Sequence, residues 1–376
     1  MEFHNFEPEK MGLLLIEPLN RSSSLFLNAL LDRHPELVQG FTSRYPELPA
    51  GTTPEQAARI AYGYARNPMW AEATPFEFPF SFEQFKPHFL AYVSAFGLSD
   101  KTAFIGTHYA LAVLRKKDLR RVKWIVFHTH AAIKDVLRAR RAFWARKRII
   151  ITVRDPRASQ LSGRKTADSF PTYRFILAPS LLLHIYRHAF RPREILFMRH
   201  EDLHRHYASV RKKLCAFLGI SDNACMDDAT YYGKKWDGTN KSGPLSANKL
   251  TSTRPDPRFV KDDWKQKLSP FELFYIQDVF QKGIMDEFGY EPYEPEKGGP
   301  AHEKIPLNYR VLFSQFLDLH SMRFLKPKRA GLQRAYDSCA RVPVVRTLLK
   351  LGIHAGIMAE EAFLYARFCY LYLKYR

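Results

Sequence analysis

The sequence predicts an α/β fold: a mainly parallel sheet flanked by helices, followed by a C-terminal helical extension. Two observations carry this. Short apolar runs at Gly12–Ile16, Lys123–Phe127, Arg148–Val153 and Arg193–Met198 alternate with helical patterns, as in a parallel sheet with helical crossovers. The runs are also apolar without the in–out alternation of a half-exposed sheet, which suits strands covered on both faces.

The first run opens the unit that organises the chain. Gly12-Leu13-Leu14-Leu15-Ile16 is a buried strand, and Glu17-Pro18-Leu19-Asn20 is a turn. Arg21-Ser22-Ser23-Ser24 then leads into a helix on which Leu27, Leu30 and Leu31 recur at helical spacing. A helix start has unpaired N–H groups and the positive end of the helix dipole, so it suits phosphate or sulfate. Arg21 adds a forked, permanent charge. Read without function, the same residues are a Ser-rich cap beside an exposed arginine. The pattern GxxxxGK[ST] is absent and no lysine stands in the loop, which argues against a nucleoside triphosphatase.

Residues 36–100 read as a variable, substrate-facing insertion. Thr53-Pro54-Glu55-Gln56 and Ser81-Phe82-Glu83-Gln84 are capping boxes, each predicting a helix start. Trp70, Phe76, Phe78 and Phe80 lie between them; core packing is favoured over sugar stacking. A strand is predicted at Thr102–Gly106, followed by a helix through Leu111 and Leu114. The next strand, Lys123–Phe127, ends in His128-Thr129-His130, and a basic helix spans Ile133 to Arg146. Arg148–Val153 ends in Arg154-Asp155-Pro156, where Pro156 suits a first helical position and Ser162 falls about two turns on. Arg193–Met198 runs into Arg199-His200-Glu201-Asp202-Leu203, and the helix Val210 to Leu218 closes on Gly219. His184 and His188, four apart on a helix, read as a polar face rather than a metal pair.

These pieces together resemble the PAPS-dependent sulfotransferases. The family's first loop reads Pro-(Arg/Lys)-Ser-Gly-(Thr/Ser)-(Thr/Ser)-Leu, and Arg21-Ser22-Ser23-Ser24 is similar to it, with His34-Pro35 where the family often has His-Pro. Three departures stand out: Ser23 replaces the Gly, Leu25 replaces the second hydroxyl, and Pro18 is displaced by two residues. His128-Thr129-His130 resembles the Lys-Thr-His element, with His128 for Lys, and Arg199–Leu203 resembles Tyr-Glu-Asp-Leu. Asp263-Trp264-Lys265 and Met285–Tyr290 resemble the family's end segment.

The resemblance implies a P-loop NTPase-like sulfotransferase domain over 1–295 and the donor 3′-phosphoadenosine 5′-phosphosulfate, PAPS, with no metal. It implies His130 as general base and Arg21, Ser22, Ser23 and Ser24 around the transferring group. Arg154 and Ser162, eight apart, are implied for the 3′-phosphate. Glu47 and Glu55 remain alternative bases, with His108 a weaker one. His128 and His130 also admit a structural reading, or a metal one with no obvious carboxylate or cysteine partner. Lys241, Lys249, Arg254 and Arg258 in the polar loop 237–258 are candidates to close over the donor.

The acceptor is expected to be a hydroxyl, on a saccharide, glycolipid or small molecule. A non-catalytic nucleotide or nucleic-acid binder that kept the anion sites is the alternative, and a metal-dependent phosphotransferase a further one. Composition bounds these readings. The 376 residues carry a formal net charge of +20, which asks for an anionic partner without choosing one. No RRM, zinc-finger or KH signature is present, so nucleic acid is not expected. Cys215, Cys225, Cys339 and Cys369 are scattered without CxxC spacing, which suits a reducing compartment and argues against zinc. The first residues are polar, with no signal-peptide pattern, and no apolar run of about 18 residues occurs. A cytoplasmic protein is expected. Residues 296–376 read as a linker plus basic, aromatic helices, which could pack on the catalytic domain or touch an anionic inner membrane face.

Overall fold

The structure is a computed structural model. It describes residues 3–19, 22–40, 44–66, 77–129, 133–143, 145–166, 174–237, 252–268, 273, 276–277 and 281–293. The expected linker and helical extension lie outside these residues, as do Trp70, Phe76, Lys241 and Lys249. The chain divides into two compact units. One takes the described residues of Met1–Val153 and Arg187–Val260; the other takes those of Arg154–Tyr186 and of the chain from Lys261 onward.

The first unit is built on five strands: β1 Gly12–Pro18, β2 Leu37–Gln39, β3 Trp124–His128, β4 Lys147–Val153 and β5 Ile195–Arg199. Their order is β2-β3-β1-β4-β5, and every adjacent pair is parallel. The expected parallel α/β sheet is therefore present, with β1 at its centre. Register places Ile16 beside His128 and Ile150. Leu14 and Ile16 pack into a core with Leu27, Leu30 and Leu31 of α1 (Ser24–Leu30, and the residue after it). Side chains alternate across a strand, so Leu13 and Leu15 turn to the opposite face. On that face Phe127 meets Phe104 at 5.2 Å between ring centroids. Covering both faces is why the strands read as unbroken apolar runs.

The helices of the intervening segment follow their caps. Helix α2, Pro54–Arg66, starts after Thr53, whose N–H donates to Gln56 Oε1 at 2.9 Å. Helix α3, Phe82–Phe96, starts after Ser81, with both bonds of the capping box formed. Phe78 and Phe80 are half-buried and make ring contacts, Phe78 with Tyr62 and Tyr232 and Phe80 with Tyr232. Two expectations change here. Thr102–Gly106 is no strand but lies within helix α4, Asp100–Leu114; Ser99 and Thr102 form a capping box, and this local signal outweighs the β-branched residues. The short strand β2 was not expected, since three residues carry no readable period.

Helix α5, Ile133–Ala142, ends one turn sooner than expected, and β4 starts at Lys147. Beyond β5 come α8 His200–Arg205 and α9 Tyr207–Leu218. Gly219 takes φ 63°, the left-handed C-cap that its sequence position predicts. A two-stranded ribbon, β6 Thr230–Tyr231 and β7 Lys234–Lys235, follows.

The second unit begins where β4 stops. Pro156 opens helix α6, Pro156–Thr166, as expected. Ala158 and Leu161 of α6 share a core with Trp264 and Leu268, from and just after helix α10, Trp264–Lys267. Helix α7 is Arg174–Ala189, and a last helix, α11 Lys282–Phe288, closes on Gly289 at φ 66°. Among the described residues no helix is long and apolar enough to cross a membrane.

Candidate functional site

The carboxyl ends of β1 and β3 meet at a cluster of polar side chains in the first unit. Thr129 N–H donates to Ile16 O at 3.1 Å, so the chain stays in register one residue past β3. The Thr129 hydroxyl donates to the carboxylate of Glu17, and both residues are fully buried. On the other side of β1, Leu19 N–H donates to Thr152 O of β4 at 2.9 Å. The strand ends are thus fixed before the loop begins.

The three serines then tie the loop to three different elements. Ser22 Oγ lies 2.7 Å from Thr152 Oγ1 of β4. Ser23 Oγ lies 2.8 Å from His200 Nδ1 of α8, with His204 Nε2 at 3.5 Å. Ser24 Oγ lies 2.9 Å from His128 Nε2 of β3. Ser22, Ser24 and His128 are buried. Ser23, which replaces the glycine of the resembled pattern, holds φ 64° and ψ 23°. This is the left-handed region where glycine is favoured, so the backbone demand of the position persists although the residue has changed.

The first intrahelical bond of α1 is Leu27 N–H to Ser23 O at 2.9 Å. The N–H groups of Ser24, Leu25 and Phe26 precede it, so they belong to the turn that lacks intrahelical acceptors. Hydroxyls and backbone donors at a strand–helix junction are a donor set that suits an oxyanion. Arg21 and His130, the other residues expected here, lie outside the described residues.

Arg154 and Ser162 belong to the second unit. Arg154 directly follows β4, two residues before the start of α6, and Ser162 lies in the second turn of that helix, roughly 9 Å along the axis from Pro156 at 1.5 Å per residue. Their neighbours carry a structural pair that sequence reasoning missed. Arg157 donates through Nε and Nη2 to the two carboxylate oxygens of Asp155, at 2.9 and 2.8 Å. Its Nη1 reaches Gln277 Oε1 at 2.7 Å, and its guanidinium lies 3.9 Å from the centre of the Trp264 ring. Asp155 thereby serves the packing of α6 on its own unit.

The alternative bases take other roles. Glu47 is exposed and pairs with Lys134 at 2.7 Å and Arg138 at 3.2 Å. Glu55 is exposed in the first turn of α2. His108 is fully buried in α4 and donates through Nδ1 to Phe104 O at 2.8 Å. Burial drives its pKa down to about 4, against a smaller upward pull from that bond. A neutral imidazole sealed in this way does not reach an acceptor. Of the loop cations, Arg254 pairs with Asp228 at 3.2 Å and Arg258 with Asp256 at 2.6 Å. Among the described residues, no group of three or more His, Cys, Asp or Glu is placed to hold a metal ion.

Glu17, Thr152, His200 and His204 were not singled out as site residues. One had a signal: Thr152 is a polar residue inside an otherwise apolar strand run, where a polar group must find a buried partner; Glu17 stands in what reads as a turn, whereas β1 continues to Pro18. The histidines had none, because 177 residues separate Ser23 from His200.

No protein-family model matches the chain, and no curated protein matches it. Among solved structures the chain is similar to the sulfotransferase domain of the curacin biosynthetic pathway, at 16% identity and TM-score 0.42, covering 75% of this chain and 99% of that one. It is also similar to the sulfotransferase domain of the Synechococcus PCC 7002 olefin synthase, at 16% identity and TM-score 0.38, covering 74% and 95%. Sulfotransferase STF9 from Mycobacterium avium is similar at 12% identity and TM-score 0.31, covering 58% and 66%.

Proposed function

We propose that this chain transfers a sulfuryl group from PAPS to an acceptor hydroxyl. The observation that carries the reading is the anchored serine loop. At the carboxyl end of the central strand, Ser22, Ser23 and Ser24 are each bonded to a different element, β4, α8 and β3. A loop held at three points presents its backbone donors in one geometry, so little reorganisation is needed when charge develops opposite them. The motif order along the sequence, with Arg154 and Ser162 eight apart after a strand, supports the same reading.

In the proposed reaction the acceptor oxygen forms a new bond to sulfur as the bond from sulfur to the 5′-phosphate oxygen breaks. His130 takes the acceptor's proton, a task suited to an imidazole whose ordinary pKa lies near neutrality. Arg21 and the backbone donors around Ser24 stabilise the charge that builds on the departing phosphate oxygen. Arg154 and Ser162 bind the 3′-phosphate and so set the donor's register. The acceptor we favour is a saccharide or glycolipid, and the chemistry needs no metal.

The test is calorimetry with 3′-phosphoadenosine 5′-phosphate, without added metal, on wild type and on Arg154→Ala. Binding that is lost in the variant supports the donor site. A folded wild type that does not bind overturns the reading. Transfer of labelled sulfate from PAPS to a panel of hydroxyl acceptors, abolished in His130→Ala and insensitive to chelator, then separates an enzyme from a non-catalytic binder and from a metal-dependent phosphotransferase.

A further inference from the structure

The opposite rim of the sheet carries a concentration of positive charge. All five strands run in parallel, so they begin at one rim and end at the other. β4, seven residues long, sets the two rims roughly 20 Å apart at about 3.3 Å per residue. At the amino-terminal rim is a cleft of about 580 Å³. Its charged lining is Lys123, Arg146, Arg148, Arg191, Arg193 and one acid, Glu194.

The single carboxylate is already engaged. Glu194 pairs with Lys147 at 3.4 Å and accepts from the Arg191 N–H at 3.0 Å. Two of the guanidiniums lie over the same indole: Arg146 is 4.9 Å and Arg148 5.9 Å from the centre of the Trp124 ring. Both donate to main-chain carbonyls, Arg146 to Lys10 O at 2.9 Å and Arg148 to Lys147 O at 3.2 Å. Arg148 Nε is buried and has no hydrogen-bond partner. Burial, and then the charge of Arg148, pull the Arg146 guanidinium below its ordinary pKa. Like charges are thus held together where they are partly desolvated, an arrangement that an anion relieves.

We propose that this rim is a binding site for a compound bearing two or more phosphate or sulfate groups. Lys123 is paired with Glu36, and the other cations come from two strand starts, those of β4 and β5; one oxyanion spans one or two guanidiniums, so a multiply charged ligand fits them best. Trp124 is buried, and its indole N–H donates to Leu218 O at 2.9 Å. It offers no open face on which a base could stack, which argues against single-stranded nucleic acid. The same chemistry is met in a free polyanion and in a phosphorylated lipid headgroup.

The experiment is calorimetric titration of the full chain with inorganic tripolyphosphate, at low and at physiological salt. Wild type, Arg146→Gln/Arg193→Gln and Arg21→Ala are compared, with thermal unfolding as the check on folding. Both rim substitutions are at exposed side chains. We expect a salt-sensitive binding event that weakens by at least about tenfold in the double variant and persists in Arg21→Ala. Isotherms of wild type and double variant that superimpose overturn the proposal, as does the absence of binding by folded wild type. If the double variant does not fold, Arg193→Glu alone replaces it, with the same outcomes. Co-sedimentation with phosphatidylcholine vesicles containing phosphatidylinositol bisphosphate then divides the sources. Pelleting that depends on Arg146 and Arg193 assigns a headgroup, and its absence beside calorimetric binding assigns a free polyanion.

Discussion

Ser23 and His200 stand 177 residues apart in sequence and 2.8 Å apart in space, and their bond holds Ser23 in a left-handed backbone at φ 64°. His200 Nε2 lies 3.4 Å from Phe259 O. A carbonyl only accepts, so Nε2 carries the ring proton and Nδ1 accepts from the serine hydroxyl. The side-chain bond therefore offsets a backbone cost that glycine would not incur.

This relationship makes a graded prediction. Ser23→Gly loses the bond but also the left-handed cost, each worth about 1 kcal/mol, so its stability should stay within about 1 kcal/mol of wild type. Ser23→Ala keeps the cost and loses the bond, and should fall by about 1–2 kcal/mol. Ser23→Val adds a branched Cβ in the left-handed region and should fall further, by about 2–3 kcal/mol. Urea unfolding of the three variants tests the order, and Ser23→Gly as the least stable would contradict it.

Ser24→Ala leaves the buried His128 Nε2 without the hydroxyl 2.9 Å away. We expect a loss of about 1–3 kcal/mol in stability. Weaker binding of 3′-phosphoadenosine 5′-phosphate should accompany it, read by calorimetry. Unchanged ligand affinity would separate this loop from donor binding.

Arg157 is expected to be structural. Replacing it by Ala removes the two-pronged side-chain bond to Asp155, the bond to Gln277 and the stack on Trp264, at a cost of about 2–3 kcal/mol. Lys cannot restore the two-pronged contact and should recover only part of that loss. Equilibrium denaturation reads both, and a fully stable Arg157→Ala would refute the role.

His108 makes stability depend on pH. Its folded pKa is lowered from 6.5 to about 4, so between these values the unfolded chain binds the proton and the folded chain does not. Stability from this residue is complete above pH 6.5 and is lost as pH falls toward 4. The full loss is about 3 kcal/mol at 1.36 kcal/mol per pH unit. His108→Leu removes the titration, so its unfolding midpoint should fall less than that of wild type over this interval. Parallel pH profiles of the two proteins would rule the assignment out.

The sequence alone determined the scaffold. Runs such as Arg148–Val153 are apolar over a length that only a strand covered on both faces uses, and the caps at Thr53, Ser81, Pro156 and Gly219 are local signals that tertiary packing left in place. The serine loop was visible for the same reason, as a polar stretch between a strand and a helix. Thr102–Gly106 was misread because a short segment with two β-branched residues and an aromatic one satisfies two periods at once, and the cap at Ser99 decided between them. The partners of the loop belonged to tertiary structure. Thr152, His128 and His200 reach Ser22, Ser24 and Ser23 only because β4, β3 and the segment after β5 end at the same rim as β1. Strand order and direction set that convergence, and a contact across more than a hundred residues leaves no period or motif in a single chain.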